Sequence, residues 1–166
     1  MAQIPATSAI ALRVGVISDT HGLLRPQATA FLRGCDHIVH GGDIGSPEIL
    51  EQLATVAPVT AVRGNNDTQA WSLRLPATCL LEIGGIRVFV IHDVGQLNID
   101  PAAAAVRVIV SGHSHQPSKR LRDGVIYLNP GSAGPRRFKL PISVADITIS
   151  GSTVTARLEQ LHTRGG

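Results

Sequence analysis

Aromatic residues are nearly missing: one Trp, one Tyr and three Phe make 3% of 166 residues. The core must therefore come from Val, Ile, Leu and Ala. A groove of stacked bases has too few rings to be built from, which argues against nucleic acid as a partner. Charge is scarce too, at 16%, which excludes a disordered chain. Lysine is rarest among the charged residues, two against 13 arginines, and with 12 acids the net charge is only +3. That bias suits anionic small molecules without pointing to DNA or RNA. Cysteine is limited to Cys35 and Cys79. Two thiols are no disulfide framework, so a reducing, cytoplasmic setting is expected. No apolar run has the length to cross a bilayer, so no membrane partner is expected. "MAQIPATSAIA" (1–11) lacks the basic start and apolar stretch of a secretory signal. It reads as a flexible leader before one domain over 12–166.

What is present is rhythm. "RVGVIS" (13–18), "HIVH" (37–40) and "VTAVR" (59–63) are short apolar runs of strand type. Between them, "RPQATAFLR" (25–33) and "SPEILEQLA" (46–54) carry helix signals. The first has an early Pro and Gly34 just past its end; the second has Ser46 as N-cap, Pro47 and Glu48. This alternation predicts parallel strands with helices against them. The second half changes to hairpins, with turns at Gly84-Gly85, Asp123-Gly124 and Gly151-Ser152. "IDPAAAA" (99–105) predicts a short helix, and "RVIVSG" (107–112) another strand. The fold class is α/β, with a mixed sheet system or two packed sheets.

The predicted strands end in one kind of chemistry. Asp19 and His21 follow the first and Asp43 the second; Asn65, Asn66 and Asp67 follow the third. His92 follows "IRVFVI", and His113 and His115 lie in "SGHSH" after "VRVIV". Carboxyl ends of strands in α/β sheets are where ligands gather. Carboxylates, imidazoles and an amide, with no thiolate, suit Mn²⁺, Fe²⁺, Co²⁺, Ni²⁺ or a catalytic Zn²⁺. The donors are too many for one tetrahedral ion. Two ions about 3.5–4 Å apart, bridged by a carboxylate, would use them all.

The order of these clusters resembles the calcineurin-like metallophosphoesterase superfamily, and in detail its small prokaryotic phosphodiesterase branch, the YfcE-like proteins. The matching stretches are "SDTHG" (18–22), "HGGD" (40–43), "RGNND" (63–67), "IH" (91–92), "SGHSH" (111–115) and "NPGS" (129–132). The resemblance implies a four-layer αββα sandwich: two mixed β-sheets flanked by helices. It also implies a pair of divalent ions, Mn²⁺ first among them. Asp19, His21 and His115 would hold one ion, Asn65, His92 and His113 the other, and Asp43 both. The implied activity is hydrolysis of phosphate esters, diesters above all, by a hydroxide bridging the ions. The implied partner is a small phosphate ester, with a homodimer left open. The alternative is a metal-binding scaffold that acts through its surface, as the retromer subunit of this family does.

Two departures stand out. The larger phosphatases of the superfamily have His where this chain has Asn66, and an amide cannot protonate a leaving group at neutral pH. Asn66 and Asp67 are the remaining candidates for the catalytic site: Asn66 is expected to orient the phosphate, and Asp67 to orient its loop or a ligand. Where the branch usually has Gly, this chain has Asp93, a candidate outer carboxylate for a ligand imidazole. Arg136 and Arg137 are the candidate phosphate-docking rim. His37, His40 and His162 read as ordinary residues, and "NPGS" as a turn packed near the site.

Overall fold

The apolar runs are rich in β-branched residues, which favour extended backbone, and they form strands. A computed structural model describes residues 11–163; residues 1–10 of the expected leader lie outside the described residues. The elements run β1 (Leu12–Ile17), α1 (Pro26–Leu32), β2 (His37–His40), α2 (Pro47–Ala54), β3 (Val59–Ala61), β4 (Thr78–Ile83), β5 (Ile86–Ile91), β6 (Val106–Val110), β7 (Ser118–Arg122), β8 (Val125–Asn129), β9 (Ser143–Ser150) and β10 (Thr153–Gln160). The strands make two five-stranded sheets, ordered β10-β9-β1-β2-β3 and β4-β5-β6-β8-β7. Each has a parallel heart, β1-β2-β3 in one and β5-β6-β8 in the other, with antiparallel strands outside it. Loops after the parallel strands carry every candidate ligand.

Strand alternation sorts the side chains into layers. Val14, Val16, Val39 and Ile147 of the first sheet meet Val88, Val90, Val108 and Val110 of the second in the central core. Helices α1 and α2 cover the outer face of the first sheet, packing Ala28, Leu32, Ile49 and Leu53 on Ile17 and Ile38. Over the second sheet the covering layer is a loop: Leu97, Ile99 and Ala104 lie on Phe89, Ile91 and Ile109. This is the two-sheet sandwich that the resemblance implies, with its second flank reduced. Among the described residues no helix is long and apolar enough to cross a membrane.

Three local expectations change. "IDPAAAA" forms turns rather than a helix. Asp100 Oδ1 accepts from the Ala102 and Ala103 N–H groups, and the Val106 N–H then bonds back to the Pro101 carbonyl at 2.8 Å. Ala105, at φ 59°, ends the turn, and β6 begins at the next residue, so no second turn has room. Ser46 holds the extended conformation of an N-cap, but its hydroxyl makes no cap bond. Strand β3 stops at Ala61, two residues earlier than expected, as the chain turns toward the candidate site.

Ile147 is fully buried between the sheets. Ile147→Ala should cost about 2–5 kcal/mol of stability. Urea unfolding measures this; a loss well under 1 kcal/mol would mean the sheets close over the gap.

Candidate metal centre

The loop geometry is unusual before any side chain is considered. Asp19, His21, Asp43, His113 and His115 all have positive φ, between 46° and 71°. Such backbone costs a non-glycine residue roughly 1–3 kcal/mol and persists only where its surroundings enforce it. Here the loops enforce one another. The N–H groups of Asp19 and His21 donate to the carbonyls of Gly42 and Asp43, and the Gly112 N–H donates to the His92 carbonyl, all at 2.9–3.0 Å. Gly64 and Gly112 lie so close to the Asp43 and Asp19 carboxylates that a methyl group at either would strike an oxygen.

One cluster joins Asp19, His21 and His115, whose donor atoms lie within 4.8 Å of one another. Asp19 is fully buried. Its Oδ2 accepts from the Ser18 hydroxyl at 2.6 Å and the His113 N–H at 3.1 Å. Its Oδ1 makes no hydrogen bond and faces His115 Nε2 at 3.3 Å and His21 Nε2 at 3.8 Å. His21 Nε2 is likewise buried without a hydrogen bond. Burial alone would push the Asp19 carboxyl up. Its neighbours His115, His21 and Ser18 outweigh burial and hold it well below the usual carboxylate range.

The second cluster joins Asp19, Asp43 and His92. His92 Nδ1 carries that ring's proton and donates it in a hydrogen bond to the Gly41 carbonyl, 2.7 Å away. His92 Nε2 then points at Asn65 Oδ1, 2.9 Å away, and Asp43 Oδ2, 3.3 Å away. His113 Nδ1 reaches the same Asn65 oxygen at 3.1 Å. With His92 neutral, its Nε2 lone pair faces the Asn65 and Asp43 oxygens, an arrangement that calls for a cation. Without a metal, a proton supplies it. Burial opposes charge on His92, but Asp43 outweighs burial and raises its pKa. Burial likewise opposes ionisation of Asp43, and His92 and the Asn66 N–H outweigh it, so its pKa is lowered. Asp43 Oδ2 also lies 3.7 Å from His21 Nε2, so this carboxylate stands between the clusters. The imidazoles pair accordingly, His21 with His115 and His92 with His113, at 5.4 and 5.2 Å between ring centres. All seven candidate ligands thus converge, and the orphaned buried atoms and mixed O/N donors fit divalent cations.

Other predicted residues serve as supports. Asp67 is buried, and its carboxylate accepts from the N–H groups of Ile44, Gly45 and Gly64, tying two ligand loops together. Asn66 donates its backbone N–H and its amide to the two oxygens of Asp43, at 2.8 and 3.0 Å. Asp93 Oδ2 lies 3.9 Å from His113 Nε2. In the "NPGS" turn, the Asn129 amide donates to the Gly112 carbonyl, and the Ser132 hydroxyl to the Asp19 carbonyl. Arg136 and Arg137 are exposed, and neither lines the two cavities that meet at His113.

His40 is the residue that the sequence reading passed over. It is fully buried. The Gly42 N–H donates to its Nδ1 at 3.0 Å, so Nε2 carries the proton and donates to Thr20 Oγ1. The Thr20 hydroxyl in turn donates a hydrogen bond to the Ile44 carbonyl. One neutral imidazole thereby joins the Asp19 and Asp43 loops. The hint lay in "HGGD": a polar side chain at a strand end whose neighbours are all buried.

The sequence profile of the calcineurin-like phosphoesterase superfamily domain matches residues 12–152. A protein of Methanothermobacter thermautotrophicus named "Probable metallophosphoesterase" is 39% identical over 158 residues, spanning 87% of this chain and 90% of its own. A Methanocaldococcus jannaschii protein named as a phosphodiesterase is 25% identical over 138 residues, 72% of this chain and 83% of its own. Among solved structures, Vacuolar Protein Sorting 29 from Cryptosporidium parvum superposes with a TM-score of 0.78 at 19% identity, covering 92% of each chain. That last likeness is one of fold.

Burial pushes the His40 pKa down to about 4 from an ordinary 6.5, against the pull of Asp19 and Asp67. Between those values the unfolded chain binds the proton that the folded chain refuses, so stability rises as pH rises across that window and is lost as pH drops. The stability advantage over His40→Asn should be largest above pH 6.5 and shrink by about 3 kcal/mol by pH 4. Urea titrations at several pH values test this; an advantage constant over the window would rule out a neutral buried imidazole.

Proposed function

The chain belongs to the calcineurin-like phosphoesterase superfamily, and from that membership and the converging donors we propose that it is a dinuclear-metal phosphodiesterase. The carrying observation is the pair of donor clusters with Asp43 between them. Asp19, His21 and His115 would hold one ion, and Asn65, His92 and His113 the other, with Asp43 shared. Mn²⁺ suits this O/N set, as do Fe²⁺, Co²⁺, Ni²⁺ and Zn²⁺. Such a pair supplies Lewis acidity and makes a shared water acidic enough to give a nucleophile near neutral pH.

The chain's own residues do the rest. Asp19 and Asp43 stay ionised and offer negative charge where cations are needed. The Gly41 carbonyl fixes the His92 tautomer, so that its lone pair faces the ion. Asp93 would do the same for His113, whose Nδ1 faces Asn65. Ser18 is no nucleophile: it is buried, and its hydroxyl is spent on Asp19. Asn66 steadies Asp43 with one amide hydrogen; its other is free to meet a phosphate oxygen on the exposed side. With no proton donor at that position, the leaving oxygen departs bearing its charge, which favours esters of acidic alcohols. We further read residues 12–166 as one domain and the protein as cytoplasmic, in keeping with two cysteines that are both free thiols.

With Mn²⁺, bis(p-nitrophenyl) phosphate should be hydrolysed, and Asp43→Asn should bring turnover to background. Bound metal without turnover by any divalent ion would instead favour the scaffold reading. Across aryl diesters, log kcat/KM should fall steeply as the leaving-group pKa rises. A flat plot with chemistry rate-limiting would mean that an unrecognised acid protonates the leaving group.

A further inference from the structure

A cavity of about 510 Å³ opens beside His113. That size suits a metabolite-sized ligand, for which roughly 300–1,000 Å³ is usual. Val94, Leu97 and the Tyr127 ring form its apolar wall, and Arg120 and Arg122 its cationic one. Both arginines stand on β7, where alternate residues share a face. Lys119, between Ser118 and Arg120, turns the other way and donates to the Ala156 carbonyl. Arg120 lies opposite Tyr127 in the β7-β8 pairing, and the Arg122 guanidinium sits 5.8 Å from the Tyr127 ring centre. Neither arginine forms an ion pair among the described residues. The acid on this wall, Asp93, is turned to His113 and the Gly95 N–H.

Spacing decides what the arginines can serve. His113 follows β6, and β8 lies between β6 and β7. Two strand spacings put the arginine strand about 10 Å to the side of the ligand-bearing one, and the register sets Arg120 level with Ile109 and Arg122 two residues further from the His113 end. A phosphate held at the donor clusters does not cover that gap, but the cavity that both arginines line runs to His113, and a body attached to the phosphate would lie in it.

We infer that this cavity binds the body of the substrate and selects a second anionic group, a phosphate or carboxylate, joined to the scissile phosphate through a ring. The inference rests on the phosphoesterase reading above and adds a substrate class to it. The ring lies along Tyr127 and Leu97, and Arg120 and Arg122 close on the distal anion with charge-assisted hydrogen bonds.

A matched pair of probes isolates that group: thymidine 5′-(p-nitrophenyl phosphate) and the same ester bearing a 3′-phosphate. Both release p-nitrophenolate from the same diester. The wild type should prefer the 3′-phosphorylated ester about tenfold in kcat/KM, through KM. The double variant Arg120→Gln/Arg122→Gln should lose the preference, and Arg120→Lys/Arg122→Lys should keep part of it. Calorimetry with thymidine 3′,5′-bisphosphate and thymidine 5′-monophosphate reads the same discrimination without turnover. Tighter binding of the bisphosphate, lost in the Gln variant, supports the inference even if neither ester is hydrolysed; that outcome would sink the phosphodiesterase reading alone. Equal binding of the two nucleotides by the wild type, or a preference that survives in the Gln variant, overturns the inference.

Discussion

Two buried carboxylates whose facing side chains, among the described residues, are imidazoles rather than guanidinium or ammonium groups govern this molecule. Asp19 and Asp43 sit at strand ends, out of water, with imidazoles as their cationic neighbours. Burying such charges is costly unless something positive joins them. A proton on His92 meets that demand in part; divalent cations would meet it better and displace that proton. The left-handed loops, the glycines pressed against carboxylate oxygens and the His40 and Asp67 bridges all keep those oxygens in place. The sandwich acts as a frame that brings three loops of one sheet against two of the other.

Much of this is legible in the sequence because the code is local. A ligand at a strand end is announced by the apolar run before it and the glycine beside it. Asp19, His21, Asp43, Asn65, His92, His113 and His115 could therefore be picked out one cluster at a time, and the structure brings all of them together. The strands and hairpins are legible for the same reason, since Gly84-Gly85 and Asp123-Gly124 permit the positive φ that tight turns require.

What escapes is contact between distant segments. The task of His40 depends on Thr20 and Gly42 arriving at its two nitrogens. Which loops Asp67 orients is visible only when three backbone N–H groups are seen to occupy it. Arg120 and Arg122, on an edge strand, line the cavity that opens beside His113, and Arg136 and Arg137 line neither cavity there. Strand pairing brings the first pair to that cavity, which nearness in sequence to the motifs does not reveal. "IDPAAAA" shows tertiary context overriding propensity, since an alanine-rich run becomes turns when the next strand must start at Val106.

The left-handed ligands also bear on how such a fold evolves. At five positions the backbone would relax with glycine, so the side chain present is kept against a local conformational cost. In a lineage that no longer needed a metal there, that cost would favour drift at His21, His113 and His115 more than at Asp19 and Asp43, whose carboxylates also hold their loops. The central layers, far from that rim, would feel little of the change. A scaffold of this kind can shed its catalysis and keep its shape, leaving an intact platform free to be recruited for other work.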